Sequence, residues 1–224
     1  MVRILGIAGS PRKNGNTEYM MRLALEAASG VEGVETGFIN LRELDIHPCT
    51  GCLRCSSQKS GEQPCPQFDD ELPYQELLAA DGLILGTPVY FGTVSSLLKI
   101  FMDRCEPFFR KTKRPSLKAG LRYKVGGALA VGHSRQGGQE YALMTIHNFY
   151  LIQEMIVVGA MSEDSTVFPG PSFGAAGVQY PHDDTDSVAI RSDEIATASS
   201  RRLGITVARV AAMIRSGKSS IIEP

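Results

Sequence analysis

Four of the chain's five cysteines fall within seventeen positions, as Cys49-x2-Cys52-x2-Cys55-x9-Cys65. Three thiolates spaced two residues apart can take adjacent corners of a cuboidal iron–sulfur cluster, with a fourth ligand arriving from further along the chain. Zinc more often takes two separated C-x2-C knuckles, each closing one side of a tetrahedron. The spacing therefore points to a [4Fe-4S] cluster on Cys49, Cys52, Cys55 and Cys65. Zinc at the same ligands, or free redox-sensing thiols, are the alternatives. Pro66 after Cys65 echoes the Cys-Pro ending of ferredoxin motifs. The first eight residues form an apolar run that Arg3 breaks and that is too short for a signal core or a membrane span, so a cytoplasmic protein is expected. Without a secretory signal, clustered cysteines favour metal or redox chemistry over disulfides. Cys105 lies on the apolar face of a helical pattern and reads as packing.

A second chemistry lies in Gly9-Ser10-Pro11-Arg12-Lys13-Asn14-Gly15-Asn16-Thr17, between an apolar run and a helical pattern. A loop of this composition can aim several backbone N–H groups at one anion, and a helix N-terminus adds unpaired donors and partial positive charge. Ser10, Asn16 and Thr17 offer short side-chain donors, Arg12 offers a full charge, and a phosphate monoester fits the set. The dinucleotide fingerprint G-x-G-x-x-G is absent, because two residues rather than one separate Gly6 from Gly9. The triphosphate loop also fails, since Asn16 stands where its Lys belongs. A plain capped turn is the competing reading. Further on, Thr87-Pro88-Val89-Tyr90-Phe91-Gly92-Thr93 combines a stiff exit, aromatic surface and a glycine that allows close approach. Such a loop can contact the polar edge of an isoalloxazine, although Tyr90 and Phe91 could equally cover a core.

Positioning these loops on one rim requires a parallel sheet. Apolar runs at Arg3–Gly9, Val34–Leu41, Gly82–Thr87, Lys124–Val131 and Met155–Ala160 read as five strands. Helical patterns at Thr17–Ala28, Asp70–Ala80, Thr93–Cys105 and Gln139–Gln153 alternate with them, and Leu203, Val207, Val210 and Ile214 mark a last helix. The expected fold is α/β, one flavodoxin-like domain over residues 1–224 whose five-stranded parallel sheet carries helices on both faces. Ligands then bind beyond the carboxyl ends of strands one, three and four. The cysteine loop spans about 47–68, and a long polar loop spans about 161–187, a length that is usually functional or interfacial.

Gly9-Ser10-Pro11-Arg12, Thr87-Pro88-Val89-Tyr90 and Leu98-Lys99-x-Phe101-x-Asp103-Arg104 resemble the NADPH-dependent FMN reductase superfamily. The cysteine cluster and the stretch 126–140 are similar to its iron–sulfur flavoprotein branch. The resemblance implies FMN, with its phosphate at Ser10, Arg12, Asn14, Asn16 and Thr17 and its ring at Pro88, Val89, Tyr90, Phe91 and Gly92. It sets Ser134, Arg135 and Gly138 against the ring or ribityl chain. His133 in the same loop, like Arg135, has an ordinary solvated reading as well. The last cysteine gap is longer than usual in that branch. Lengthening a loop from about five to about nine residues costs only ~0.5 kcal/mol of closure entropy, against on the order of 10 kcal/mol for metal–thiolate binding.

Lys plus Arg total 23 and Asp plus Glu 24, so the chain has no basic footprint for nucleic acid or an anionic membrane. No His, Ser or carboxylate constellation argues for acid–base or nucleophilic catalysis, and no catalytic side chain is expected beyond the cofactor ligands. The resemblance implies electrons from a ferredoxin-like donor, through the cluster to FMN and on to a small-molecule acceptor. It also implies a homo-oligomer, a tetramer. The alternatives are a cluster-free NAD(P)H-dependent FMN or quinone reductase, and a flavin- or metal-binding redox sensor acting through a partner.

Overall fold

The structure, a computed structural model, describes residues 1–57, 64–65, 72–109, 120–134, 136–160, 173–179 and 189–221, with side chains to 217. Strands β1 (Val2–Ala8), β2 (Val34–Asn40), β3 (Gly82–Pro88), β4 (Val125–Gly132), β5 (Ile156–Val158) and β6 (Ala175–Val178) form one sheet. The order is β2-β1-β3-β4-β5, with β6 also paired to β4, and every pairing is parallel. This is the flavodoxin-like order, with the switch point between β1 and β3. Helices α1 (Asn16–Ser29), α2 (Tyr74–Ala79), α3 (Ser96–Arg104), α4 (Glu106–Phe109), α5 (Gln139–Ile152) and α6 (Glu194–Ile221) cover both faces.

Alternation along the central strands sorts the core into two layers. Leu5, Ile7, Leu83 and Leu85 face one way, against Leu98 and Phe101 of α3 and Ile146 and Tyr150 of α5. Val2, Ile4, Ile84 and Leu129 face the other, against Met20, Met21 and Ala24 of α1 and Leu203 and Val207 of α6. Burial on both faces explains why these strands read as unbroken apolar runs. The α1–α6 contact is close enough that a Cβ on Gly204 would overlap the Ala24 carbonyl oxygen. Tyr150 crosses the sheet floor, its hydroxyl donating to the Gly127 carbonyl (2.9 Å) and accepting from the Leu85 N–H (3.0 Å). Burial pushes that phenol well above the ordinary tyrosine range. No described helix is long and apolar enough to cross a membrane.

The sheet has one more strand than the sequence leads one to expect. β5 pairs with Val125–Gly127 of β4, and β6 takes over the same edge at Leu129–Gly132. β6 lies inside the stretch read as a polar loop, whose remaining residues 161–172 and 180–187 are outside the described residues. Its sequence, Ala-Ala-Gly-Val, carries little strand propensity. Small residues are required there, because a Cβ on Gly177 would sit 2.5 Å from Ile190 Cδ1 and 2.6 Å from Ala196 Cβ. Helix α3 begins three residues later than its periodicity predicts. Ser95 caps it by accepting from the Leu98 N–H at 3.1 Å, while Thr93 is drawn into a turn.

Candidate flavin site and cysteine cavity

At the carboxyl end of β1 the chain is held close to α3: a Cβ on Gly9 would lie 2.5 Å from Leu98 Cβ. Ser95 Oγ donates to the Gly9 carbonyl (2.5 Å), and Thr87 Oγ1 accepts from the Ser95 N–H (2.9 Å). The loops after β1 and β3 are therefore locked together by buried side chains. Beyond Gly9, Ser10 Oγ accepts from the Arg12 N–H (3.2 Å) and Asn14 takes a left-handed turn at φ 51°. The Asn14 N–H donates to Glu18 (3.0 Å), a buried carboxylate that Arg22 and Asn40 also hold. Helix α1 then begins at Asn16, with Gly15 at its N-cap and no side-chain cap. The N–H groups of Gly15, Asn16 and Thr17 have no partner among the described residues. Unpaired donors and the positive end of the helix dipole converge there, as an anion site requires.

Asn16, Thr17 and Ser10 are buried although polar. The Asn16 carbonyl oxygen accepts from the Ile190 N–H (3.2 Å), which fixes the amide and leaves its N–H2 for another partner. Ser10, Arg12, Asn16 and Thr17 line one cavity of about 130 Å3 with Pro88, Val89, Tyr90, Val131, Gly132, His133 and Gln179. Asn14, Phe91, Gly92, Ser134 and Gly138 are not in its wall. Asn14 instead shapes the turn. Tyr90 and Thr93 exchange both backbone hydrogen bonds (3.0 and 3.1 Å), with Phe91 and Gly92 at positive φ (48° and 77°), so Phe91 projects fully into solvent. Gly138 (φ 99°) backs onto this turn, and a Cβ on it would meet Gly92 Cα at 2.6 Å. Gln139 folds the β4–α5 loop by accepting from the Gly137 N–H (2.9 Å) and donating to the Ser134 carbonyl (2.7 Å). Arg135 is outside the described residues. The cavity, about 130 Å3, is of a size for a phosphate with a short chain and is too small to enclose a tricyclic ring as well.

The four clustered cysteines line a second cavity, of about 330 Å3, with Thr50, Gly51, Leu53, Asp103, Arg104, Glu106 and Pro107. Cys49 and Cys52 are exposed, Cys65 is half-buried, Cys55 is buried, and none is in a disulfide. Gly51 (φ 65°) and Leu53 (φ 60°) turn the chain between ligands, and the Gly51 N–H donates to Cys49 Sγ (3.4 Å). The Arg54 backbone N–H, with its side chain, holds the Cys52 thiol below the ordinary cysteine range, which favours thiolate. Arg104 is 2% exposed; its guanidinium donates to the His47 carbonyl (2.7 Å) and so ties the start of the cysteine loop to α3. Among the described residues no three His, Cys, Asp or Glu side chains converge on a point fit for a single metal ion. Four thiols around one cavity, beside the buried Arg104, form a sulfur donor set suited to a thiolate-bound metal centre. Cys105 is fully buried in the core, and desolvation drives its thiol far above the ordinary range.

The family model for NADPH-dependent FMN reductases matches residues 2–164. An iron–sulfur flavoprotein of Methanocaldococcus jannaschii is 42% identical over 217 residues, covering 96% of this chain and 100% of that protein. The chain belongs to this FMN reductase family, in its iron–sulfur flavoprotein branch. It is an FMN-dependent oxidoreductase, a redox flavoprotein. The NAD(P)H dehydrogenase (quinone) of Geobacter metallireducens is 31% identical over 144 residues, 63% of this chain and 66% of that one. In three dimensions the chain is similar to a flavodoxin-type WrbA-like protein of Agrobacterium tumefaciens. The TM-score is 0.60 at 17% identity, over 95% of this chain and 99% of that one, a likeness of fold.

Four wall residues of this flavoprotein's rim are not among those the motifs point to, and Val131 and Gly132 simply end β4. His133 follows β4 and has a single, ambiguous sequence signal. Gln179 follows β6, which itself leaves no sequence signal, so nothing in the one-dimensional pattern brings it to the site.

Proposed function

We propose that a [4Fe-4S] cluster on Cys49, Cys52, Cys55 and Cys65 receives electrons singly from a ferredoxin-like donor, and that FMN on the rim delivers them to a small-molecule acceptor. The observation that carries this reading is that all four cysteines line one cavity of about 330 Å3. FMN supplies the ability to take electrons one at a time and to release a pair. The chain's residues bind and orient. Gly15, Asn16, Thr17, Ser10 and Arg12 grip the phosphate, Asn14 sets the turn that aims those donors, and Pro88 to Gly92 with Ser134 and Gly138 shape the seat of the ring. Arg104 anchors the cysteine loop and puts a positive charge beside the four sulfurs. The fully exposed Phe91 and the exposed Tyr90 and Tyr141 support assembly into a homo-oligomer, a tetramer, that covers them.

A second reading is a cluster-free NAD(P)H-dependent FMN or quinone reductase, favoured by the exposure of Cys49 and Cys52. Anaerobic rapid mixing separates the two. Flavin bleaching that depends on reduced ferredoxin and is lost with the iron supports the first, whereas equally rapid bleaching by NADPH alone supports the second.

A further inference from the structure

Gln179 is outside the matched family region and outside every motif read from the sequence, yet it is 8% exposed and lines the flavin-phosphate cavity. Its backbone is fixed: the Gln179 N–H donates to the Gly132 carbonyl at 3.0 Å, continuing the β6–β4 pairing. One residue earlier, the Val178 N–H donates to Asp193 (2.9 Å), which also accepts from the Ala196 N–H (3.0 Å) at the start of α6. The carboxamide of Gln179, by contrast, has no hydrogen-bond partner among the described residues. A side chain that lines a cavity from an anchored backbone and has no protein partner is placed to hydrogen-bond a ligand seated there. The other polar side chains around the cavity, from Ser10, Arg12, Asn16, Thr17, Tyr90 and His133, can all donate. Their common partner is an acceptor-rich anion, and the volume matches a phosphoryl group with the short chain next to it.

Resting on the FMN reading above, we infer that Gln179 is a phosphate-recognition residue whose side-chain N–H2 donates to the FMN phosphate. The segment carrying β6 and Ile190 thus completes the cofactor site that the loops after β1, β3 and β4 begin. Its contribution is selectivity for FMN over riboflavin, because riboflavin presents nothing for this amide to bind. A hydrogen bond to a charged group is roughly twice as strong as a neutral one, so its loss weakens binding by about tenfold or more.

The test is fluorescence titration of the flavin-depleted full chain with FMN and with riboflavin, for wild type, Gln179→Leu and the isosteric Gln179→Glu. Melting temperature is measured in parallel. The expected result is FMN binding weakened about tenfold in Gln179→Leu and further in Gln179→Glu, where a carboxylate faces the phosphate. Riboflavin affinity stays within about twofold of wild type in both. FMN affinity unchanged in Gln179→Glu, or FMN and riboflavin weakened alike, overturns the assignment in favour of packing. A wild-type chain that binds neither flavin sinks the FMN reading itself and is distinct from either result.

Discussion

The flavin rim and the cysteine cavity adjoin opposite ends of α3, and they are built in different ways. At the rim, buried Ser95 and Thr87 fasten the loops to one another, Ser10 braces its own turn, and the donors stand ready at the uncapped start of α1. At the cavity, two of four sulfurs are exposed, the chain turns through left-handed backbone at Gly51 and Leu53, and a buried arginine ties the loop to α3. The difference teaches that a cofactor held by many weak donors needs a preformed seat. One held by strong metal–sulfur bonds can organise its own, because metal binding supplies folding free energy.

If that contrast is sound, the two regions fail separately. The largest effect is expected from Cys55→Ser at the buried sulfur. Iron and sulfide fall to near zero by chemical analysis while flavin content per chain is unchanged, and parallel loss of flavin breaks the comparison. Next comes Arg104→Gln. Losing a buried, charge-assisted hydrogen bond costs about 1.5–3 kcal/mol, seen as a lower melting temperature and reduced iron occupancy, with FMN affinity within about twofold. Gly138→Ala acts on the other region. Forcing a side chain into left-handed backbone costs about 1–2 kcal/mol, and the contact with Gly92 adds to it. FMN titration should show weaker binding at normal iron content.

The smallest effect sharpens the cavity's chemistry. In the iron-free chain, the lowered Cys52 pKa means its thiolate persists to lower pH than that of an ordinary thiol. Alkylation mapped by peptide mass should therefore reach half its maximal rate at lower pH for Cys52 than for a free cysteine. Buried Cys105, shifted the other way, should stay unmodified in the folded chain.

Much of the rim was legible because strand periodicity and loop chemistry agree. β1, β3 and β4 are buried on both faces and read as apolar runs, and the loop from Gly9 to Thr17 announces an anion by composition. The cysteine spacing was equally plain. Gln179 and β6 were not, because their positions are dictated by space left between β4, α1 and α6, and that demand for small residues resembles a loop in one dimension. Ring-loop residues divided for a similar reason. Pro88 and Tyr90 line the cavity, whereas the positive φ of Phe91 and Gly92 turns them outward, a backbone outcome that residue type alone does not declare.

The central claim is that one chain seats a flavin on a ready-made rim and an iron–sulfur cluster in a cavity of four thiolates. Its most direct test is the visible spectrum of the anaerobically purified chain with iron, sulfide and flavin analysis. The expected result is one FMN with four iron and four sulfide per chain, and a broad absorbance near the flavin bands that bleaches with the cluster. Flavin accompanied by zinc, or by no metal, would contradict it.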